Sequence, residues 1–323
     1  MIPLRLFFSM MLICFLFCFV LFMPIGLSGL EPSKKISQYV HYTWDTRDNL
    51  PQATIWGLTQ TRDGYLWLGT EEGLVRFDGV KFTVYNTRNI AEITANWMVG
   101  ICEDNSGNLW VATWGGGLLR HNRKTGVFKS YTREDGLSHI NLIDVCEGPK
   151  GKIWVSAANG LNVLDPQTGQ FSVYQKKDGL PHNHVNRVFF DPSGGVWIGT
   201  ENGLSRMKDG TFSNYDTTQG LAGTVVWSFC RDREGTVWVG TDKGISYLKD
   251  GNLSKPFKVY KNGDPVWKYL VWRIIQDKDG NIWAATDKGL GRISRDESGS
   301  FTDDRALEGK TILSVIEDTE GNI

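Results

Sequence analysis

Along most of the chain the apolar residues fall in short runs separated by turns rich in glycine, aspartate and asparagine. Residues 186–215 show the pattern once: NRVFF, the turn DPSGG, VWIGT, the turn ENG, LSRMK, the turn DG, and TFSNY. Runs this short, joined by Gly-containing turns, predict antiparallel strands in consecutive hairpins. The first run is apolar-rich, which suits a buried inner strand. The last carries an aromatic pair three apart, Phe212 and Tyr215. The pair recurs as Phe82/Tyr85, Phe128/Tyr131, Phe171/Tyr174 and Phe257/Tyr260, which predicts one aromatic wedge per unit between neighbouring sheets.

The unit repeats. Trp67, Trp110, Trp154, Trp197, Trp238 and Trp283 are spaced 43, 44, 43, 41 and 45 residues apart, each with glycine three residues before it. A period in this range, with four strands per period, predicts an all-β propeller of four-stranded blades. A parallel β-helix has shorter coils, and a β-sandwich does not repeat its sequence at this period. Residues 311–323, TILSVIEDTEGNI, end on Gly321, Asn322 and Ile323, which align with Gly280, Asn281 and Ile282. The expected propeller is therefore seven-bladed, with the seventh blade truncated after its first strand and the chain a fragment. The run YVHY at residues 39–42 reads as an orphan outer strand that joins the last blade and removes a free edge.

The N-terminus departs from this pattern. After Arg5, residues 6–23 hold Ser9 as their only polar side chain, and Pro24, Gly26, Ser28 and Gly29 follow. This predicts an N-terminal hydrophobic helix over residues 1–30, either a cleaved export signal or a retained membrane anchor. Either assignment places residues 36–323, the propeller domain, in the periplasm or outside the cell. Cys14 and Cys18 lie within the apolar segment, whereas Cys102, Cys146 and Cys230 each stand eight residues before a repeat tryptophan. Equivalent positions on separate blades are expected to be too far apart for disulfides, so these three read as small buried hydrophobes.

Charge narrows the functional classes. With 35 basic and 36 acidic residues the chain is nearly neutral, so nothing points to nucleic acid. The 37 glycines and 13 tryptophans fit many turns and large flat packing surfaces.

The motif built on D/N-x-x-G-x-[LIV]-W-[LVI]-[GA]-T-x-x-G-[LI], with the closing F-x-x-Y…G-L-P, resembles the two-component regulator propeller repeats. The resemblance covers about residues 36–323. The third copy departs from it with VSAANGL, and the sixth offers only Phe301 for the aromatic pair. The resemblance implies the extracytoplasmic sensor of a bacterial signalling protein. It also implies a membrane helix, attachment to the inner membrane and an output such as a histidine kinase or diguanylate cyclase elsewhere in the full-length protein, which could act as a homodimer. A secreted scaffold for protein–protein interaction is the alternative, and a propeller lyase or dehydrogenase a third reading.

In a propeller the last-to-first strand loops and the second-to-third strand turns surround one mouth of the channel. His139, His182 and His184 and the aromatics Trp114, Trp267 and Tyr269 fall in or beside these loops, where they could meet a small molecule or an oligosaccharide. Trp97, Trp227 and Trp272 read instead as packing between blades. Ten residues before each repeat tryptophan stand Gly57, Gly100, Asp144, Arg187, Ser228 and Arg273. Asp144, Arg187 and Arg273 are candidate ligand-binding groups lining the channel, although an Asp144–Arg187 contact between blades explains that pair equally well. No catalytic residue, metal site or cofactor is expected. His182 and His184 lack a third ligand, and the DKDGN turn at 277–281 lacks the calcium-loop glycine and glutamate.

Overall fold

Each predicted four-run unit folds as one four-stranded antiparallel sheet with its strands in sequence order, and the described residues contain six such sheets. The computed structural model describes residues 34–192, 194–249, 256–260, 268–295 and 301–323. The inner strands are Gly57–Gln60, Met98–Glu103, Leu142–Glu147, Val185–Phe190, Val226–Arg231 and Val271–Gln276. The outermost are Phe82–Tyr85, Val127–Tyr131, Phe171–Tyr174, Thr211–Tyr215, Lys258–Val259 and Phe301–Ala306.

The repeat tryptophans are the core of the blades. Trp67, Trp110, Trp197, Trp238 and Trp283 are essentially inaccessible. The aromatic wedge joins each of the first four blades to the next. Tyr85 lies 5.7 Å from Trp67 of its own blade and 5.6 Å from Phe128 of the following one. Tyr131 repeats this with Trp110 at 5.8 Å and Phe171 at 6.1 Å, and Tyr215 with Trp197 and Phe257 at 5.8 and 5.7 Å. The small residue after the tryptophan has a packing cause. A Cβ on Gly69 would meet Met98 O at 2.6 Å, and one on Gly199 would meet Val226 O at 2.8 Å. The next blade's inner strand therefore leans on a surface that has to be bare.

Two sequence expectations are corrected. The propeller has six four-stranded blades, and residues 311–323 form no strand of a seventh. Residues 39–42 form no outer strand either, and Val40 and Tyr42 are largely exposed. A strand exists through ladder hydrogen bonds to a neighbour, and neither segment finds such a ladder among the described residues. The C-terminal segment packs Val315 and Ile312 against Trp283 and Ala285, with Ile312 N donating to Thr286 O at 2.8 Å. Its turn reaches the first blade, where Thr319 N donates to Gln60 Oε1 at 2.7 Å. At the N-terminus a short 3-10 turn, Ile36–Gln38, docks on the sixth blade: Ile36 N donates to Asp304 Oδ2 and Arg292 donates to Tyr39 Oη. The expected N-terminal hydrophobic helix lies outside the described residues. Among those described, helix is limited to three-residue 3-10 turns, and none is long and apolar enough to cross a membrane.

Candidate functional site

A β-bulge opens the inner strand of each blade from the second to the sixth. In the fifth blade Val226 pairs with Thr241 and Ser228 with Gly240, so Trp227 is skipped by the ladder. In the sixth, Val271 pairs with Thr286 and Arg273 with Ala285, skipping Trp272. The skipped residues of the second to fourth blades are Val99, Ile143 and Asn186. Bulges leave the extra residue out of the pairing pattern and re-aim its side chain. In the fifth and sixth blades the skipped residues are Trp227 and Trp272, at the strand end next to the last-to-first strand loops of the channel mouth, where Trp56 joins them from the residue before the first inner strand.

The result is a continuous arc of five half-buried tryptophans. Ring centroids are 4.9 Å apart for Trp227–Trp272, 6.4 Å for Trp272–Trp56, 5.5 Å for Trp56–Trp97 and 5.7 Å for Trp97–Trp114. Trp56 Nε1 donates to Glu71 Oε1 at 3.1 Å. The indole N–H groups of Trp97, Trp227 and Trp272 have no hydrogen-bond partner. Trp97, Trp227 and Trp272 do touch tryptophans of neighbouring blades, as expected of inter-blade packing, and Trp56, which no sequence expectation singled out, joins them. A tryptophan directly before the small or charged inner-strand residue, as in Trp56-Gly57, Trp227-Ser228 and Trp272-Arg273, is the signal that marks the arc.

The third and fourth blades supply the other side of the mouth with histidines. His139 Nδ1 accepts from Asn141 N at 2.9 Å, and His182 Nδ1 accepts from His184 N at 3.0 Å. Both rings therefore carry their proton on Nε2 when neutral. His184 lies 3.8 Å from Glu201 Oε1, and burial holds its pKa below the ordinary value against the pull of that carboxylate. Of the other predicted loop residues, Tyr269 is exposed, with Lys288 Nζ 5.9 Å from its ring centre. Trp267 lies outside the described residues.

Deeper along the inner strands is a cavity of about 380 Å³. Asp144, Arg187 and Arg273 line it together, with Glu103, Gln60, Cys102 and Cys146 among the other walls. Arg187 Nε stands 3.6 Å from Asp144 Oδ2, outside hydrogen-bond range, and has no hydrogen-bond partner. The inter-blade contact anticipated for this pair is present, but loose. Burial raises the Asp144 pKa in spite of Arg187. The three described cysteines are free thiols, and burial pushes Cys102 up to about 12. Among the described residues no cluster of three His, Cys, Asp or Glu side chains could hold a metal ion.

The propeller, its aromatic mouth and its charged waist can be set beside known proteins. The family model described as "Two component regulator propeller" matches residues 49–72, 92–115, 179–202, 220–243 and 268–288. The match omits the third copy, the one that lacks the Gly-Thr turn. The chain belongs to the two-component regulator propeller family. Among solved structures it is similar to the extracellular domain of BT3049, a candidate hybrid two component system of B. thetaiotaomicron. Identity is 25% and the TM-score 0.70, over 82% of this chain and 37% of that one. The extracellular domain of BT4673 from B. thetaiotaomicron is similar at 19% identity and a TM-score of 0.63, over 84% of this chain and 42% of that one. Virginiamycin B lyase from Staphylococcus aureus shares the fold at 14% identity and a TM-score of 0.63, over 78% of this chain and 84% of that one. No curated protein matches the chain in sequence. The chain thus spans well under half the length of the two-component relatives. It is an extracytoplasmic propeller domain resembling the sensor regions of two-component signalling proteins.

Proposed function

We propose that the domain is a ligand-binding module rather than a catalyst, and that its ligand docks on the tryptophan arc at the channel mouth. The carrying observation is the arc itself: five half-buried indoles in a continuous line of ring contacts. Flat apolar faces suit the rings of an oligosaccharide fragment, the ligand class favoured here. In the whole protein, attached to the inner membrane, occupancy of the mouth is passed to an output domain such as a histidine kinase.

Intrinsic tryptophan fluorescence tests this, because the binding residues are the reporters. Titrating the full chain with a panel of oligosaccharides should shift its emission. Replacing Trp56 and Trp272 together by alanine should weaken binding at least tenfold, the loss of about 1.4 kcal/mol or more expected for two stacking faces. A panel in which no member binds, or a double variant that binds like the wild type, overturns the assignment.

A further inference from the structure

The charged waist beneath the arc has an imbalance that the mouth does not explain. Four charged side chains line the cavity: Glu103, Asp144, Arg187 and Arg273. Glu103 is already held by two cations, pairing with Arg123 and lying 3.4 Å from Arg62 Nε. It leaves no charge for the channel. Asp144 faces Arg187 across 3.6 Å without a hydrogen bond. Arg273 has no carboxylate within 4.0 Å among the described residues. The cavity therefore carries one excess positive charge and an additional guanidinium Nε, on Arg187, that is buried and unpartnered.

A buried guanidinium without an acceptor is unfavourable, and planar forked donors match oxyanions. Arg273 follows Trp272 directly in the sixth blade, and the bulge that skips Trp272 sets Arg273 as the next paired residue. Stacking surface and cation are thus adjacent on one strand. Gly100 contributes from the second blade. A Cβ there would come within 3.0 Å of Asp144 Oδ1, so the bare glycine makes room for that carboxylate in the waist.

We propose that the waist is an oxyanion site: a carboxylate or sulfate group on the ligand docks against Arg273 and Arg187, while the ring bearing it stacks at the mouth. This rests on the mouth being the site of entry. The ligand is then an acidic ring compound, with Asp144 competing for Arg187 and tempering the affinity.

Three probes with the same number of rings decide the matter: a hexuronate disaccharide, a sulfated hexose disaccharide and a neutral hexose disaccharide. Affinities for the full chain are measured at physiological salt. The carboxylate-bearing or the sulfate-bearing probe should bind about tenfold to a hundredfold more tightly than the neutral one, the gain expected of charge-assisted hydrogen bonds. Whichever gains identifies the group. Arg273→Gln should erase the preference, so that charged and neutral probes bind alike. Asp144→Asn should enlarge the preference by freeing Arg187. Equal affinity for all three probes, or a preference that survives Arg273→Gln, overturns the oxyanion site and leaves the mouth standing. Failure of every probe to bind overturns the mouth, and the oxyanion site falls with it. Thermal unfolding of each variant separates a folding defect from lost recognition, since Arg273 makes no ion pair among the described residues whose removal would destabilise the blade.

Discussion

One hydrogen bond accounts for the aspartate six residues before the blade tryptophan. Asp104, Asp232 and Asp277 accept the indole N–H of Trp110, Trp238 and Trp283 at 2.8, 2.9 and 2.7 Å. A buried N–H without an acceptor is costly, and the aspartate removes that penalty in each of these blades. The third blade lacks this acceptor. Gly148 stands in its place, and the Trp154 N–H has no partner. No side chain could be restored there, because a Cβ on Gly148 would lie 2.4 Å from Phe190 Cζ. A different residue-scale feature gives a measurable effect. His121 is buried, stacked on Phe128 with centroids 4.1 Å apart, and burial lowers its pKa to about 4. The unfolded chain binds this proton near the ordinary value of 6.5, whereas the folded chain does not until near 4. The stability held by the neutral ring is complete above pH 6.5 and is lost as the pH falls toward 4. The loss should reach about 2–3 kcal/mol at pH 4.5. Urea unfolding at pH 7.5 and 4.5 should show that His121→Phe removes this part of the acid sensitivity. A wild-type and a variant that lose equal stability would refute it.

At the scale of the element, the T-x-x-G turn is held by its own threonine. Thr200 Oγ1 donates to Gly203 O at 2.8 Å and accepts from Asn202 N at 3.1 Å. Thr70, Thr241 and Thr286 repeat the donation to Gly73, Gly244 and Gly289. In the second blade Thr113 reaches Gly117 across the extra residue that carries Trp114 outward. Gly203 is needed twice over: its φ is +101°, and a Cβ would sit 2.5 Å from Tyr215 O on the neighbouring strand. Gly210, at the next turn, also has a positive φ of +78°, but open space around it. Gly203→Ala should therefore destabilise the blade by about 2 kcal/mol or more, and Gly210→Ala by about 1 kcal/mol. Denaturant midpoints that fall equally for both would show that backbone conformation alone, and not the close approach, governs the turn.

For the whole molecule the decisive contacts are those that close the ring. Successive blades are tied at the inner-strand ends. Arg62 N donates to Glu103, Asn105 N to Glu147, Arg233 N to Gln276, and Lys278 N to Glu317 of the C-terminal segment. Thr319 N then donates to Gln60 of the first blade. A segment without secondary structure is therefore the joint between the sixth and first blades. Removing residues 311–323 uncovers the packing of Ile312 and Val315 against Trp283, a loss of about 3 kcal/mol from apolar burial. Amide exchange should quicken in the first and sixth blades and stay unchanged in the third and fourth. Uniform acceleration, or none, would mean the segment is not the joint.

The repeat, the blade count of complete units, the buried tryptophans and the aromatic wedges were all legible in the sequence. Each is set by spacing within one unit or between equivalent positions, and such spacing survives as a period. The candidate channel residues Asp144, Arg187 and Arg273 were legible for the same reason, as one fixed position per repeat. What the ends of the chain do was not legible. Residues 39–42 and 311–323 have the apolar pattern of strands, but strand formation depends on a partner, and sequence pattern does not report whether one is present. The tryptophan arc was equally hidden. Trp227 and Trp272 stand outside the ladder because a bulge skips them, and Trp56 meets Trp272 because the ring closes between the first and sixth blades. The amino-acid sequence decides which side chains each blade owns. Only the closed ring brings Trp56 to Trp272 and Gln60 to Thr319, since those residues lie more than two hundred positions apart.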